Sequence, residues 1–213
     1  MPRGGRLLLV FAKAPEPGRA KTRLIPAIGA EAAADLQRRL IERTLSTASS
    51  AQDWSTELWC HPHCQAPGLV DAGARHGIAL RPQTGRDLGE RMHDAIASSL
   101  TRVEHAVLIG TDCPELSTEH LDEAFGALDG AADVVLGPAE DGGYYLIGLR
   151  RPAPELFSDV PWGTDAVLET TRHRIRALGL RLHELPALRD LDRPEDLRYF
   201  AALDELSRHT IDP

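Results

Sequence analysis

Apolar residues fall along this chain in two rhythms. Short unbroken runs, Leu7-Leu8-Leu9-Val10-Phe11-Ala12 and Val107-Leu108-Ile109, read as strands buried on both faces. Longer stretches repeat at helical spacing: Ala33, Leu36, Leu40, Ile41, Leu45 and Ala48 predict a helix from Ala30 to about Ser49. In chain order, strands are predicted at 7–12, 56–60, 78–81, just before Asp112, at 134–136, 144–149 and 180–185. Helices are predicted at 30–49, 67–76, 117–128, from Thr164 or Asp165 to about Leu178, and from Pro194 onward. A further helix is expected after Asp87, its cap, with Leu88, Met92, Ala95, Ile96 and Leu100 turned inward. Pro194 suits a first helical position, and Glu195 and Asp196 suit the positive end that follows.

Strands alternating with helices predict one α/β domain over residues 1–213, with a mostly parallel sheet and one reversed strand at 144–149. Asp141-Gly142-Gly143 marks the turn before that strand. The proline-rich segment 151–162 is expected to be a surface excursion that could overhang a site, with Trp162 packing it against a helix start or bordering a ligand.

Composition narrows the function classes. A chain of 213 residues can bury roughly 70% of its unfolded surface without a disulfide or metal staple. A net charge of −8 argues against a general binder of nucleic acid or anionic membrane. Cys60, Cys64 and Cys113 give no disulfide framework and fit a reducing cytoplasm. No apolar run approaches the ~20 residues of a membrane span. Arg3 and Arg6 before the first apolar run superficially resemble a signal peptide, but Lys13 and a Pro-Gly loop follow, so the run is read as the first strand.

The candidate chemistry lies at the ends of predicted strands, where parallel sheets open into a crevice. Asp112 follows the central strand and precedes Cys113-Pro114; it can hold a divalent cation or simply cap the next turn. The loop Lys13 to Leu24 after the first strand holds four basic groups and one acidic group. Lys21 and Arg23 offer charge to phosphates, and Gly18 permits close backbone approach; a solvated basic loop is the alternative. This is not the standard phosphate loop, since Ala20 rather than glycine precedes Lys21-Thr22, and there is no G-x-G-x-x-G fingerprint. Gln83, Gly85 and Gly89 can border a nucleotide base or merely form a turn and a helix start.

Asp141, beside Gly142-Gly143, can meet a hydroxyl as base or acceptor, unless the glycines serve only chain reversal. Asp192, in Asp190-Leu191-Asp192-Arg193-Pro194, can join Asp112 at a cation or favour the last helix start. Cys60-His61-Pro62-His63-Cys64 is dense in soft ligands, but its spacing is compressed and no second cluster completes a zinc tetrahedron. No G-x-S-x-G or H-E-x-x-H pattern is present.

Five motifs in order carry a family resemblance: Phe11-Ala12-Lys13-Ala14-Pro15 with Gly18 and Lys21-Thr22-Arg23-Leu24; Asp87 to Met92; Gly110-Thr111-Asp112-Cys113-Pro114; Gly137 to Tyr145; and Val160 to Thr164. Together they resemble the bacterial glycosyltransferase-like proteins of the nucleotide-diphospho-sugar transferase superfamily, which are similar both to A-type glycosyltransferases and to small nucleotidyltransferases. The resemblance implies a Rossmann-like three-layer sandwich with a mixed sheet, in which the loop after the first strand, including Lys13, binds nucleotide. It implies Asp112 as a Mg²⁺ or Mn²⁺ ligand, with Asp192 resembling the second metal contact of the nucleotidyltransferases. Neither a literal Asp-x-Asp nor a Gly-x-Gly-x-Arg-Met loop is present.

The leading expectation is a metal-dependent transferase acting on a nucleoside diphosphate-sugar. Asp112, Asp141 and Lys21 would be catalytic, and Lys13, Gly18, Lys21, Arg23, Gln83, Gly85 and Gly89 would contact nucleotide. The alternatives are a nucleotidyltransferase joining a nucleoside monophosphate to a phosphorylated small molecule, and a non-catalytic nucleotide-binding domain.

Overall fold

The computed structural model describes residues 5–50 and 53–198. Its centre is a seven-stranded sheet. In chain order the elements are β1 (Arg6–Lys13), α1 (Ile25–Ile28), α2 (Ala30–Ser49), β2 (Ser55–His61), α3 (Pro67–His76), β3 (Ala79–Pro82), α4 (Leu88–Ser99) and β4 (His105–Ile109). They continue with α5 (Thr118–Asp129), β5 (Val134–Pro138), β6 (Tyr144–Leu149), α6 (Val167–Ala177) and β7 (Leu182–Glu184). The strand order is β3-β2-β1-β4-β6-β5-β7, and β6 alone runs antiparallel to its neighbours.

The period-two pleat sorts the central run onto two faces. Leu8, Val10 and Ala12 of β1 enter one core with Ile41 and Leu45 of α2, Leu69 of α3, and Leu121, Phe125 and Leu128 of α5. Leu7, Leu9 and Phe11 enter the other with Met92 and Ile96 of α4 and Leu168 and Ile175 of α6. Helices therefore cover both faces, the three-layer arrangement expected for strands without polar alternation. Among the described residues no helix is long and apolar enough to cross a membrane.

The elements depart from expectation in several places, one being α1, which has no counterpart among the predicted helices. Segment 151–162 is no surface excursion. Ala153, Leu156 and Phe157 join the second core, and Val160 is buried too. Their three- and four-residue spacing gives the segment an apolar face, and Arg174 secures it by donating to the carbonyls of Glu155, Ser158 and Asp159. Helix α6 begins at Val167 rather than at Thr164 or Asp165, because Thr164 forms a turn whose Oγ1 accepts from Ala166 N at 3.3 Å. After Arg193 the chain makes a short 3₁₀ turn, Pro194–Asp196, and continues helically through 197–198; from residue 199 the expected last helix lies outside the described residues.

Glu57 on β2 is a buried carboxylate, with Arg102 Nη1 and Nη2 at 2.9 and 3.1 Å and Arg81 at 3.2 Å. Burial raises its proton affinity, but the two guanidinium groups outweigh burial and hold it below the usual glutamate range. A depressed folded-state pKa means the pair stabilises fully above the unfolded value and is lost as pH falls through the folded one. Glu57→Gln is thus expected to cost about 1–3 kcal/mol at neutral pH. Urea denaturation should show the gap between wild type and variant closing below about pH 4; a pH-independent gap would contradict the ionic account.

Candidate functional site

Strand β1 leads to neighbours on both sides, β2 by way of α2 and β4 on the opposite edge, so the loops after β1 and β4 part at a topological switch point. Such a point opens a crevice at the carboxyl ends of the strands. A cavity of about 550 Å³ lies here, bordered by Lys13, Lys21, Arg23, Gln83, Arg91 and Asp112 among others. That is within the usual range for a nucleotide-sized ligand.

Lys21 organises one end. Its side chain is only 2% exposed, yet its ammonium stands 2.7 Å from Asp112 Oδ1 and 3.7 Å from Asp192 Oδ1. It also donates to the Leu191 carbonyl at 2.6 Å. The residue takes φ +45, a left-handed conformation that costs free energy for a residue bearing a Cβ. Arg23 reaches Asp192 Oδ2 at 2.7 Å. Two further ties hold the same junction, one backbone and one between side chains: Leu191 N donates to the Asp112 carbonyl at 2.8 Å, and Cys113 Sγ donates to Asp190 Oδ1 at 2.7 Å. Residues 80 positions apart in sequence, Asp112 and Asp192, thus share one ammonium at the cavity edge.

Asp190 was not singled out from sequence, because nothing in its local pattern distinguishes it from a cap. Burial, followed by the charges of Asp141 and Asp112, pushes its carboxyl up to about 7 against the lowering effect of the Cys113 hydrogen bond. Burial drives the Cys113 thiol well above its ordinary value, with Asp190 adding to the effect.

Asp141 lies outside the main cavity. It borders an adjoining one of about 440 Å³ that shares Arg23, Asp190 and Asp192 with the first. Its Oδ1 accepts from Gly143 N at 2.9 Å, fixing the turn.

The other expected contacts divide. Gln83 borders the main cavity, with its Nε2 committed to the Trp59 carbonyl at 2.8 Å. Gly89 is buried, and a Cβ there would meet the Phe157 carbonyl and the Trp162 indole, so this glycine lets α4 close on the following segment. A Cβ on Gly85 would strike the backbone of Glu90 and Arg91. Gly18, at φ +78, has open space around it. None of these three glycines borders the cavity. His61 and Arg91 do border it, and sequence reasoning missed both: His61 was hidden in the cysteine-histidine cluster, and Arg91 in a helix start read for its glycines. Cys60 of that cluster is a buried strand residue whose thiol is pushed up to about 12 by burial and by Cys64.

The donor set at Lys21 is hard oxygen, which suits Mg²⁺ or Mn²⁺. Asp112 keeps 48% of its side chain exposed and Asp192 31%. Among the described residues no three His, Cys, Asp or Glu side chains converge to hold an ion by themselves. Two carboxylates completed by water and substrate phosphate are what Mg²⁺ commonly accepts, so the residues fit the ion.

The sheet order, the reversed strand and the crevice place the chain in the nucleotide-diphospho-sugar transferase fold. Residues 44–164 match the profile of a family described as "Uncharacterized protein conserved in bacteria (DUF2064)", and the chain belongs to that family. A provisionally named nucleotide-diphospho-sugar transferase from Desulfovibrio desulfuricans is 32% identical, with a TM-score of 0.82 over 91% of this chain and 84% of that one. A CMP:2-keto-3-deoxy-manno-octonic acid synthetase complexed with CTP shares 13% identity and a TM-score of 0.62, over 96% and 100% of the two chains. A 4-diphosphocytidyl-2C-methyl-D-erythritol synthase from Anaerococcus prevotii shares 10% identity and a TM-score of 0.63, over 95% and 96%. At the last two identities the likeness is one of fold. No curated protein sequence matches.

Proposed function

We propose that this chain is a nucleotide-dependent transferase that takes a nucleoside diphosphate-sugar as donor, with Asp112 and Asp192 holding Mg²⁺ or Mn²⁺. The observation that carries the reading is the meeting of these two carboxylates on the Lys21 ammonium at the edge of a nucleotide-sized cavity. Lys21 offsets their repulsion and fixes their spacing before any ligand arrives. Such prior ordering is how a site stabilises developing charge without reorganising during reaction. When bound, the divalent ion would neutralise charge on the departing diphosphate. Asp141, in the adjoining cavity, would accept the proton of an attacking hydroxyl. The name of the relative at 32% identity supports the donor class.

One observation favours a second reading, nucleotidyl transfer. The residue after Asp112 is a thiol turned to Asp190, and the second carboxylate comes instead from residue 192. The distant neighbour described as complexed with CTP supports it as well.

Product analysis separates the two. Nucleotide-sugars and nucleoside triphosphates would each be incubated with Mg²⁺ and a panel of hydroxylated acceptors. Free nucleoside diphosphate is the expected product; pyrophosphate from a triphosphate would replace the first reading with the second. Turnover of neither donor, alongside nucleotide binding, would leave a non-catalytic nucleotide-binding domain.

A further inference from the structure

Four cationic side chains border the main cavity: Lys13, Lys21, Arg23 and Arg91. Two have carboxylate partners, Lys21 on Asp112 and Asp192 and Arg23 on Asp192. Among the described residues, Lys13 and Arg91 have none within ion-pair distance.

Arg91 is held in place by neutral acceptors alone. Its Nε donates to the Asp87 carbonyl at 3.1 Å, and its Nη1 lies 2.8 Å from His61 Nδ1. A guanidinium can only donate, so His61 Nδ1 is the acceptor; burial, and then the positive charges of Arg91 and Lys13, lower the proton affinity of that imidazole. The guanidinium is therefore oriented while its charge is left uncompensated. Leu88, three residues earlier on α4, is 37% exposed, and it borders the cavity with Phe11 and Met92. An aromatic or aliphatic wall beside a fixed cation suits a ligand with a flat apolar part and an anionic part.

We infer that Lys13 and Arg91 form the phosphate-binding subsite of this cleft, and that Lys21 and Arg23 serve to order the carboxylates. The inference rests on the nucleotide reading above for the identity of the ligand, but the subsite itself requires only an oxyanion. Arg91 is then a binding residue, supplying a preorganised fork to phosphate oxygens, with Lys13 adding a mobile point charge at the end of β1.

Isothermal titration with inorganic pyrophosphate, UDP and uridine, on wild type, Arg91→Gln, Arg91→Lys and Lys13→Gln, tests this. Pyrophosphate and UDP should bind Arg91→Gln about 10- to 100-fold more weakly. Uridine affinity should be unchanged, Arg91→Lys should recover part of the loss, and ligand-free melting should stay close to wild type. Lys13→Gln should weaken both anions as well; its exposed side chain makes this variant safe for folding. Wild-type affinity for pyrophosphate and UDP in both glutamine variants would overturn the inference, as would failure of the wild type to bind pyrophosphate. Pyrophosphate binding that depends on Arg91, without UDP binding or any transfer, would instead remove the transferase reading and leave the oxyanion subsite standing.

Discussion

Lys21→Ala should lower the unfolding free energy by about 2–4 kcal/mol, a large effect for one truncation. For a domain of this length that is a fall of roughly 5–15 °C in melting temperature. The ammonium is the shared donor for Asp112, Asp192 and the Leu191 carbonyl. Without it, two carboxylates face each other across the junction and a carbonyl loses its donor. The cost is kept below that of a fully buried broken pair because Asp112 is 48% exposed and water can reach it. Glycine, unlike alanine, takes the left-handed backbone at residue 21 without a Cβ penalty, so Lys21→Gly should be no worse than Lys21→Ala. A double-mutant cycle with Asp192→Asn, read by urea unfolding, should give coupling of about 0.5–3 kcal/mol. Additive effects would mean that the ammonium and the carboxylate act independently.

The fold was legible because the strands are buried on both faces. Leu7 to Ala12 and Val107 to Ile109 must lie inside a covered sheet, and helical spacing between such runs forces the alternation. The predicted α2 coincides with Ala30–Ser49, since six apolar positions at helical spacing, Ala33 to Ala48, leave little freedom of phase. Segment 151–162 reads as a surface excursion by its proline content, but the spacing of Ala153, Leu156, Phe157 and Val160 gives it a buried face. Pro154 sits at the start of a 3₁₀ turn, where a missing N–H is tolerated.

The site was legible only at the level of which loops converge. Strand ends announce themselves in sequence, and so Asp112, Lys21, Arg23 and Asp192 could be nominated. Partnership is a three-dimensional property. Nothing local distinguishes Lys21, buried and shared by two carboxylates, from Lys13, exposed and without one. Lys13 ends β1 and Lys21 lies in the loop that follows, and only the return of residues 190–192 to the end of β4 separates their roles. The nominated glycines illustrate the same gap. Gly89 was expected at a base, but the constraint on its Cβ comes from Trp162 and Phe157, more than 60 residues away in the chain.

The converse experiment keeps the fold and removes the charge. Asp112→Asn retains an oxygen for the Lys21 ammonium, so its unfolding free energy should stay within about 1 kcal/mol of wild type. Transfer activity should nevertheless fall by about 10²- to 10³-fold, the usual consequence of removing one preorganised electrostatic group. Stability and activity therefore part company here, whereas Lys21→Ala lowers both. Nucleotide binding supplies an independent readout. A ligand that binds only the native state raises the melting temperature in proportion to its affinity, so UDP should stabilise the wild type more with Mg²⁺ than without. In Asp112→Asn the Mg²⁺-dependent increment should disappear and the increment due to UDP alone should remain, because Asp112 pairs with Lys21 and not with Lys13 or Arg91, which are unaltered. If the Mg²⁺ increment survives the substitution at full size, Asp112 does not hold the ion, and the pairing of Asp112 with Asp192 serves only the junction between β4 and the returning segment.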